Sequence, residues 1–175
     1  MKPDERAFEP IRSAMKLTGG FTLSQLADIA NLEATTIQNW VKRGWIEPPK
    51  ERRYGEESVA RVLIINMLKG AMQLSNIVSL MSYINGKVDD RRDDSIPDGE
   101  LYSIMCSVMK RIDEIGSISK ETVTDVIDDE IKDYKEPFPG GKEKLQNALN
   151  IMVLAHISSN LKKEAEDMLQ KYIEI

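Results

Sequence analysis

The sequence predicts a mainly α-helical protein, and three observations indicate this class. Apolar residues recur at intervals of three and four from residue 22 onward, which is the period of an amphipathic helix. No run of four or more residues alternates strictly between apolar and polar side chains, as a half-buried strand does. Gly and Pro concentrate between the periodic segments, where helices end. A chain of 175 residues with 41% hydrophobic content is long enough to bury a core.

The first predicted helices form a tightly joined pair. "TLSQLADIA" begins at Thr22, whose hydroxyl can cap the first turn, and Gln25 can return the bond as a capping box. "NLEATTIQNWVKRG" follows after a very short connection and is predicted to end at Gly44. Two short helices joined in this way form a helix-turn-helix arrangement.

The next segment changes character at a Pro-Pro pair. "IEPPKERRY" cannot be helical, because Pro48 and Pro49 remove backbone donors and favour extended backbone before them. We predict a turn or a small wing here. "GEESVARVLIINMLKG" and "LSNIVSLMSYI" then predict a third and a fourth helix.

Composition divides the chain into two predicted units. "NGKVDDRRDDSIPDGE" has almost no apolar content, which is typical of a linker or an exposed loop. Beyond it, "LYSIMCSVMKRIDEI", "KETVTDVIDDEIKDY" and a long segment starting at Lys142 predict an all-helical second half. The predicted organisation is an N-terminal extension (1–19), a first domain (20–84), a linker (85–100) and a helical domain for oligomerisation or effector binding (101–175).

Charge is distributed unevenly between the halves. The chain carries 24 basic and 29 acidic residues, a formal charge of −5. Residues 1–85 contribute +2 and residues 86–175 contribute −7. A site for a polyanion is therefore expected in the first half.

The order of these elements resembles a known class of DNA-binding domain. "TLSQLADIANL", "TTIQNWVKRGWIEPP", "RRYGEESVARVLIINML" and "KGAMQLSNIVSLM" are similar, in that order, to the helices, wing and closing helix of MerR-type winged helix-turn-helix regulators. The chain as a whole also resembles a family of short bacterial proteins that has no assigned function and whose members are expected to be transcriptional regulators. The resemblance implies an N-terminal winged helix-turn-helix followed by an all-helical domain, and double-stranded DNA as the partner.

Candidate contacts to DNA lie in and after the second helix. Gln and Asn side chains can pair with adenine in a major groove, and Thr hydroxyls also reach base edges. Lys and Arg grip phosphates without reading sequence. The predicted DNA-binding residues are Thr35, Thr36, Gln38, Asn39, Lys42, Arg43, Arg52, Arg53 and Tyr54; Arg52, Arg53 and Tyr54 are included because the resemblance places an Arg and a Tyr in the wing. The alternative is an ordinary polar helix face with solvated cations.

Catalysis and metal binding are not indicated. Cys106 is the only cysteine, and His156 is the only histidine, so neither has the companions that a metal or nucleophile site needs. We predict no enzymatic activity, no cofactor and no metal. The start "MKPDERAFEP" lacks the apolar run of a signal peptide, and "VLIINML" and "IMVLAHI" are far shorter than the ~20 residues of a membrane span. The expected compartment is the cytoplasm, with no membrane partner.

These observations predict a sequence-specific double-stranded DNA-binding protein, a bacterial transcriptional regulator that forms a homodimer through its C-terminal helices. A small molecule or a protein could act as effector on the second domain. The alternative is a protein-interaction adaptor that uses the helix-turn-helix scaffold and the acidic helical domain without binding an operator.

Overall fold

A computed structural model describes residues 8–88, 90 and 92–173. These residues form eight α-helices, which confirms the prediction of a mainly helical protein. The helices are α1 (Glu9–Thr18), α2 (Leu23–Ala30), α3 (Ala34–Lys42), α4 (Glu56–Leu68), α5 (Leu74–Asn85), α6 (Asp98–Ile115), α7 (Lys120–Glu130) and α8 (Gly141–Ile173). Residues 1–7 of the predicted extension, residues 89 and 91 of the predicted linker, and residues 174–175 lie outside the described residues.

Helix α1 lies in the segment predicted only as an N-terminal extension. Phe8, just before the helix, is buried, and its ring lies edge-on to Tyr102 of α6 with 5.7 Å between ring centroids. Arg12 pairs with Glu56 of α4 at 2.7 Å. The segment therefore docks on α4 and α6. The sequence analysis missed this helix although it has local signals, with Pro10 in its first turn, buried Met15 and a left-handed Gly19 at its end.

The pair α2 and α3 is organised by local signals that the sequence contains. The capping box is confirmed, because the Thr22 hydroxyl accepts from the Gln25 N–H while the Gln25 side chain accepts from the Thr22 N–H. Asn31 has a left-handed backbone (φ 50°), and the Leu32 N–H donates to the Ala27 carbonyl at 2.9 Å. This Schellman-type ending turns the chain within three residues into α3.

The end of α3 also follows the sequence prediction. Gly44 has φ 73°, and the Trp45 N–H donates back to the Trp40 carbonyl at 2.9 Å. The indole of Trp40 is buried, as expected for a core residue.

The segment predicted as a wing forms one two-residue turn. Lys50 and Arg53 exchange backbone hydrogen bonds of 2.9 and 2.8 Å, and the residues between them, Glu51 and Arg52, have φ of 49° and 64°. Both left-handed positions identify a type I′ turn. Tyr54 then bridges to Phe21, which ties the turn to the start of α2. The described residues contain no β-strand beyond these two isolated bridges, so a wing built of strands is not present there.

Helix α4 is the centre of the core. It is buried on nearly all sides and packs against α2, α5, α6 and α8. A helix with apolar residues all round its surface is expected in such a position. Helices from both sides of residues 85–100 therefore contribute to one hydrophobic cluster. The division into two domains at that segment stays a prediction.

Part of the segment predicted as a linker is buried. The carboxylate of Asp98, at the start of α6, is fully buried and pairs with Arg61 of α4, with 2.6 Å between Oδ2 and Nε. Asn85 at the end of α5 donates to the same carboxylate at 3.0 Å and accepts from the backbone N–H of Ser95 and of Ile96. This network, which we call the Asp98 junction, joins α4, α5 and α6. The polar composition of this segment suggested that it is exposed. The burial of Asp98 was not predictable from composition, because its partner Arg61 lies 37 positions earlier in the chain.

The long last helix is confirmed, but only its first half is packed. The buried residues of α8 end at Val153, and residues 160–173 are all exposed. Across the described part of the chain, no helix combines the length and the apolar character needed to span a membrane.

Candidate nucleic-acid interface

Helix α3 presents a polar stripe to solvent. Thr35, Gln38, Asn39 and Lys42 are all exposed, and their spacing of three, one and three places them on one face of the helix. The opposite face carries Ile37 and Trp40, which are buried against the core. The stripe is therefore held in a fixed orientation by the packing behind it.

Thr36 lies at the margin of this stripe. It is half-buried, and its backbone N–H donates to Glu33 at 2.9 Å in the first turn of the helix. Glu33 itself makes no side-chain capping bond. The predicted contact residue Thr36 is thus less accessible than Thr35.

The stripe borders an open cleft formed by three elements. Gln38 and Lys42 of α3, Arg52 and Pro49 of the turn, and Ser24 in the first turn of α2 line it together. Thr22 and Tyr54 also contribute to its wall. The fold therefore brings residues from positions 22–24, 38–42 and 49–54 to one surface. Ser24 was missed by the sequence analysis, because nothing in the local pattern of α2 shows that the turn approaches it.

Two cations that line the cleft, Lys42 and Arg52, and a third in the same turn as Arg52, Lys50, are available to an anionic ligand. Lys42, Lys50 and Arg52 are exposed, and within the described residues none of them forms an ion pair. A Lys or Arg side chain that is not paired with a carboxylate can contact a phosphate group.

Arg43 stands at the end of α3 beside Trp45. Its guanidinium carbon lies 5.0 Å from the centroid of the indole ring, within the range of a cation–π contact. The side chain is exposed, so its donors still face solvent. Trp45 is half-buried and orients this cation rather than offering a free stacking surface.

Arg53 and Tyr54 hold the turn in place. The Arg53 guanidinium donates to the Gly20 carbonyl at 3.0 Å, and its side chain is half-buried. Tyr54 is only 3% exposed, and its burial raises the pKa of the phenol. Both were predicted as DNA contacts, but their positions give them structural roles. We leave both out of the interface proposed below.

Cys106 and His156 line the same groove between α6 and α8. Burial raises the pKa of the Cys106 thiol, which makes the reactive thiolate scarcer. His156 is half-buried, and one ring nitrogen lies 3.0 Å from the amide of Asn160. Within the described ranges, no group of three or more His, Cys, Asp or Glu side chains is arranged to hold a metal ion.

The fold and the site define a helical protein with a short exposed polar stripe next to a tight turn. By sequence, the chain belongs to the family described as "Domain of unknown function (DUF1836)", which matches residues 18–105. The matched range covers α2 to α5, the Asp98 junction and the first part of α6.

The chain is also similar to "Uncharacterized protein YkrK" of Bacillus subtilis (strain 168). The two are 24% identical over 161 residues, which cover 84% of this chain and 69% of the relative. No solved structure matches the chain.

These findings overturn the resemblance to MerR-type regulators. The matching family is a different one, and neither it nor the relative points to a MerR-type domain. The four segments that suggested the resemblance include a capping box, a Gly after a helix and a Pro-Pro pair. Such features report how helices begin and end in many folds, so they do not identify a family.

Proposed function

We propose that this protein binds double-stranded DNA in a sequence-specific manner, with α2 and α3 acting as a helix-turn-helix. The observation that carries the proposal is the exposed stripe Thr35, Gln38, Asn39 and Lys42 on a helix supported from behind by buried Ile37 and Trp40. The major groove of B-DNA, about 12 Å wide, admits one α-helix. A rigid polar face on such a helix is suited to reading base edges.

The side chains of the stripe suggest distinct roles. Gln38 and Asn39 carry amides that can donate and accept together, which suits the edge of an adenine. Thr35 offers a hydroxyl to either a base or a phosphate. Lys42 at the end of the stripe suits a phosphate at the rim of the groove.

The turn at Lys50–Arg53 serves in this proposal as a reduced wing. Arg52 lies at its tip, is exposed, and faces the same cleft as Gln38 and Lys42. Lys50 and Arg43 flank it. These cations would contact phosphates on either side of the groove and fix the position of α3 without reading sequence.

The charge distribution sets the expected strength of binding. The first half of the chain has a charge of only +2 and the second half −7. We therefore expect weak binding to random duplex and a steep loss of affinity with salt. Contacts to base edges then have to supply most of the difference in affinity between the specific sequence and random duplex.

In the cell, the proposed role is transcriptional regulation in the cytoplasm rather than catalysis. The C-terminal helices are proposed to mediate homo-oligomerisation and to receive any small-molecule or protein effector. Two-fold symmetry of the protein would be mirrored in an inverted-repeat operator.

The decisive test is selection of bound duplexes from random DNA, followed by fluorescence anisotropy on the enriched sequence. We expect Gln38→Ala with Asn39→Ala to cost about 1–3 kcal/mol per lost base contact on that sequence and to leave random duplex unaffected. The matched control is Asn147→Ala with Gln170→Ala, two exposed amides on α8.

The alternative function makes a different set of predictions. If no sequence is enriched and removal of Lys42 and Arg52 leaves affinity for random duplex unchanged, DNA binding is refuted. A stoichiometric protein partner recovered without DNA would then identify the protein as an interaction adaptor.

A further inference from the structure

The C-terminal half of α8 is exposed, apart from a groove that its first residues share with α6. The last residue of α8 that is not exposed is Ser159, which lies beside Gly70. Beyond it, residues 160–173 are exposed along fourteen positions, or about 20 Å of helix. A helix in a protein owes most of its stability to the packing of an apolar face, and this segment buries no residue of its own.

One face of this segment is apolar with the spacing of a coiled-coil seam. Leu161, Ala165, Met168 and Tyr172 follow one another at intervals of four, three and four residues. Leu161 is 52%, Met168 57% and Tyr172 71% exposed. We call these four residues the α8 seam. Polar and charged residues occupy most of the positions outside the seam, whereas Leu169 and Ile173 widen it.

We propose that the α8 seam pairs with the same seam of a second copy of this chain as an antiparallel two-helix coiled coil. In this register, Leu161 meets Tyr172 of the partner subunit and Ala165 meets Met168 of the partner subunit. Two-fold symmetry repeats both layers, so all four seam residues become covered.

Charge selects the antiparallel orientation. Glu164 and Lys171 both precede a seam residue and occupy equivalent flanking positions. In an antiparallel pair these positions face each other, so Glu164 lies opposite Lys171 of the partner subunit twice. In a parallel pair, Glu164 would face Leu169 instead, and no ion pair would form across the seam. The sequence is thus self-complementary in one orientation only.

A groove at the base of the seam adds to the surface. Met109 and Ile112 of α6, Ile118 after α6, and Ile157 and Leu161 of α8 line it. The neighbouring side chains Ile115 and Ile118 are 53% and 54% exposed, which is unusual for isoleucine. The antiparallel register places the end of the partner helix, with its Tyr172, beside this groove. Four seam layers are short for a stable dimer, and the groove supplies further apolar area.

The test uses the full chain without DNA and measures its mass across a concentration series by sedimentation or by light scattering. We expect a dimer for the natural sequence and a monomer for Met168→Glu at every concentration. Gln170→Glu, on the outer face of the same helix, is the matched control and should remain dimeric. Because Met168 is exposed in the single chain, Met168→Glu should keep the Tm of the monomer fold.

The orientation has its own test. Glu164→Lys and Lys171→Glu should each weaken the dimer, and the two together should restore it, since the swapped charges again face each other. Single changes without effect would overturn the antiparallel register. A natural chain that is monomeric throughout, a dimer that survives Met168→Glu, or a one-to-one complex with a different protein would overturn the proposal. None of these readouts depends on DNA binding, so the proposed function and this inference can fail separately.

Discussion

Helix α3 and the C-terminal half of α8 both expose a continuous stripe, but the stripes differ in chemistry and in support. The α3 stripe is polar, and buried Ile37 and Trp40 hold it from behind. The α8 seam is apolar, and residues 160–173 are all exposed beyond the groove that they share with α6. A supported polar stripe suits a ligand that is read by hydrogen bonds, whereas an unsupported apolar stripe needs a surface that covers it.

This difference has an energetic consequence. Substitutions in the α3 stripe should change binding while leaving the folding free energy nearly constant, because the side chains face solvent. Substitutions in the α8 seam should change the association of two copies of the chain. Both surfaces belong to helices that share one hydrophobic core. A substitution inside that core can lower stability without changing a residue of either surface.

The largest expected effect comes from breaking the core between the two surfaces. Asp98→Ala leaves Arg61 as an unpaired charge in a buried site, and we expect a loss of about 3–5 kcal/mol in the free energy of unfolding. Urea unfolding measures it. The control is Arg92→Ala, which removes an exposed ion pair with Asp90 and should leave the midpoint unchanged. An Asp98→Ala midpoint equal to the natural one would show that the junction does not hold α4, α5 and α6 together.

The next effect separates binding from folding at the α3 surface. Lys42→Ala with Arg52→Ala should reduce the slope of log affinity against log salt by about two units, since two phosphate contacts are lost. Anisotropy titrations at several salt concentrations give the slope. Lys120→Ala with Lys135→Ala removes the same charge from exposed sites in and after α7 and should not alter it. Equal slopes for both pairs would remove Lys42 and Arg52 from the interface.

A smaller effect is expected at the turn, where Arg52→Gly should move stability and binding in opposite directions and Glu51→Asn should raise both. Arg52 has a left-handed backbone, so Arg52→Gly should relieve strain and stabilise the fold by about 1 kcal/mol while weakening DNA binding. Glu51→Asn relieves the same kind of strain and removes a negative charge, so binding should strengthen. Thermal unfolding and anisotropy measure the two quantities. Parallel changes in both quantities for Arg52→Gly would contradict the proposed role of its side chain.

A pH-dependent effect tests the burial of Tyr102 on α6. Burial on α6, together with Cys106, raises the pKa of Tyr102 from 10.0 to about 12. The folded state therefore holds this phenolic proton more tightly than the unfolded state. Its contribution to stability is complete below about pH 10 and is lost as the pH rises to about 12. Tyr102→Phe should flatten this loss in a series of denaturation curves, and an unchanged profile would contradict the assignment.

Local signals made several elements predictable. The capping box at Thr22, the stop at Gly44 and the exposed spacing of Gln38, Asn39 and Lys42 all depend on residues within a few positions of one another. The long final helix was predictable for the same reason. The same local signals also suggested a MerR-type domain, which was wrong, because helix caps and turns do not distinguish one family from another.

Distant contacts were not predictable from these patterns. Nothing in the segment around Asp98 shows that Arg61 will neutralise it. Nothing near Arg53 shows that its guanidinium will donate a hydrogen bond to the carbonyl of Gly20, 33 positions earlier. Phe8 and Arg12 likewise acquire their roles only from Tyr102 and Glu56 on other helices.

The sequence by itself determined the helical class, the ends of α2 and α3, and which residues of α3 share a face, because hydrogen bonding and side-chain periodicity within a helix are local. Only the tertiary structure decided which cations remain available, since that depends on carboxylates and carbonyls brought close by folding. It also decided that the seam of α8 is uncovered, because burial is a property of the whole packed chain.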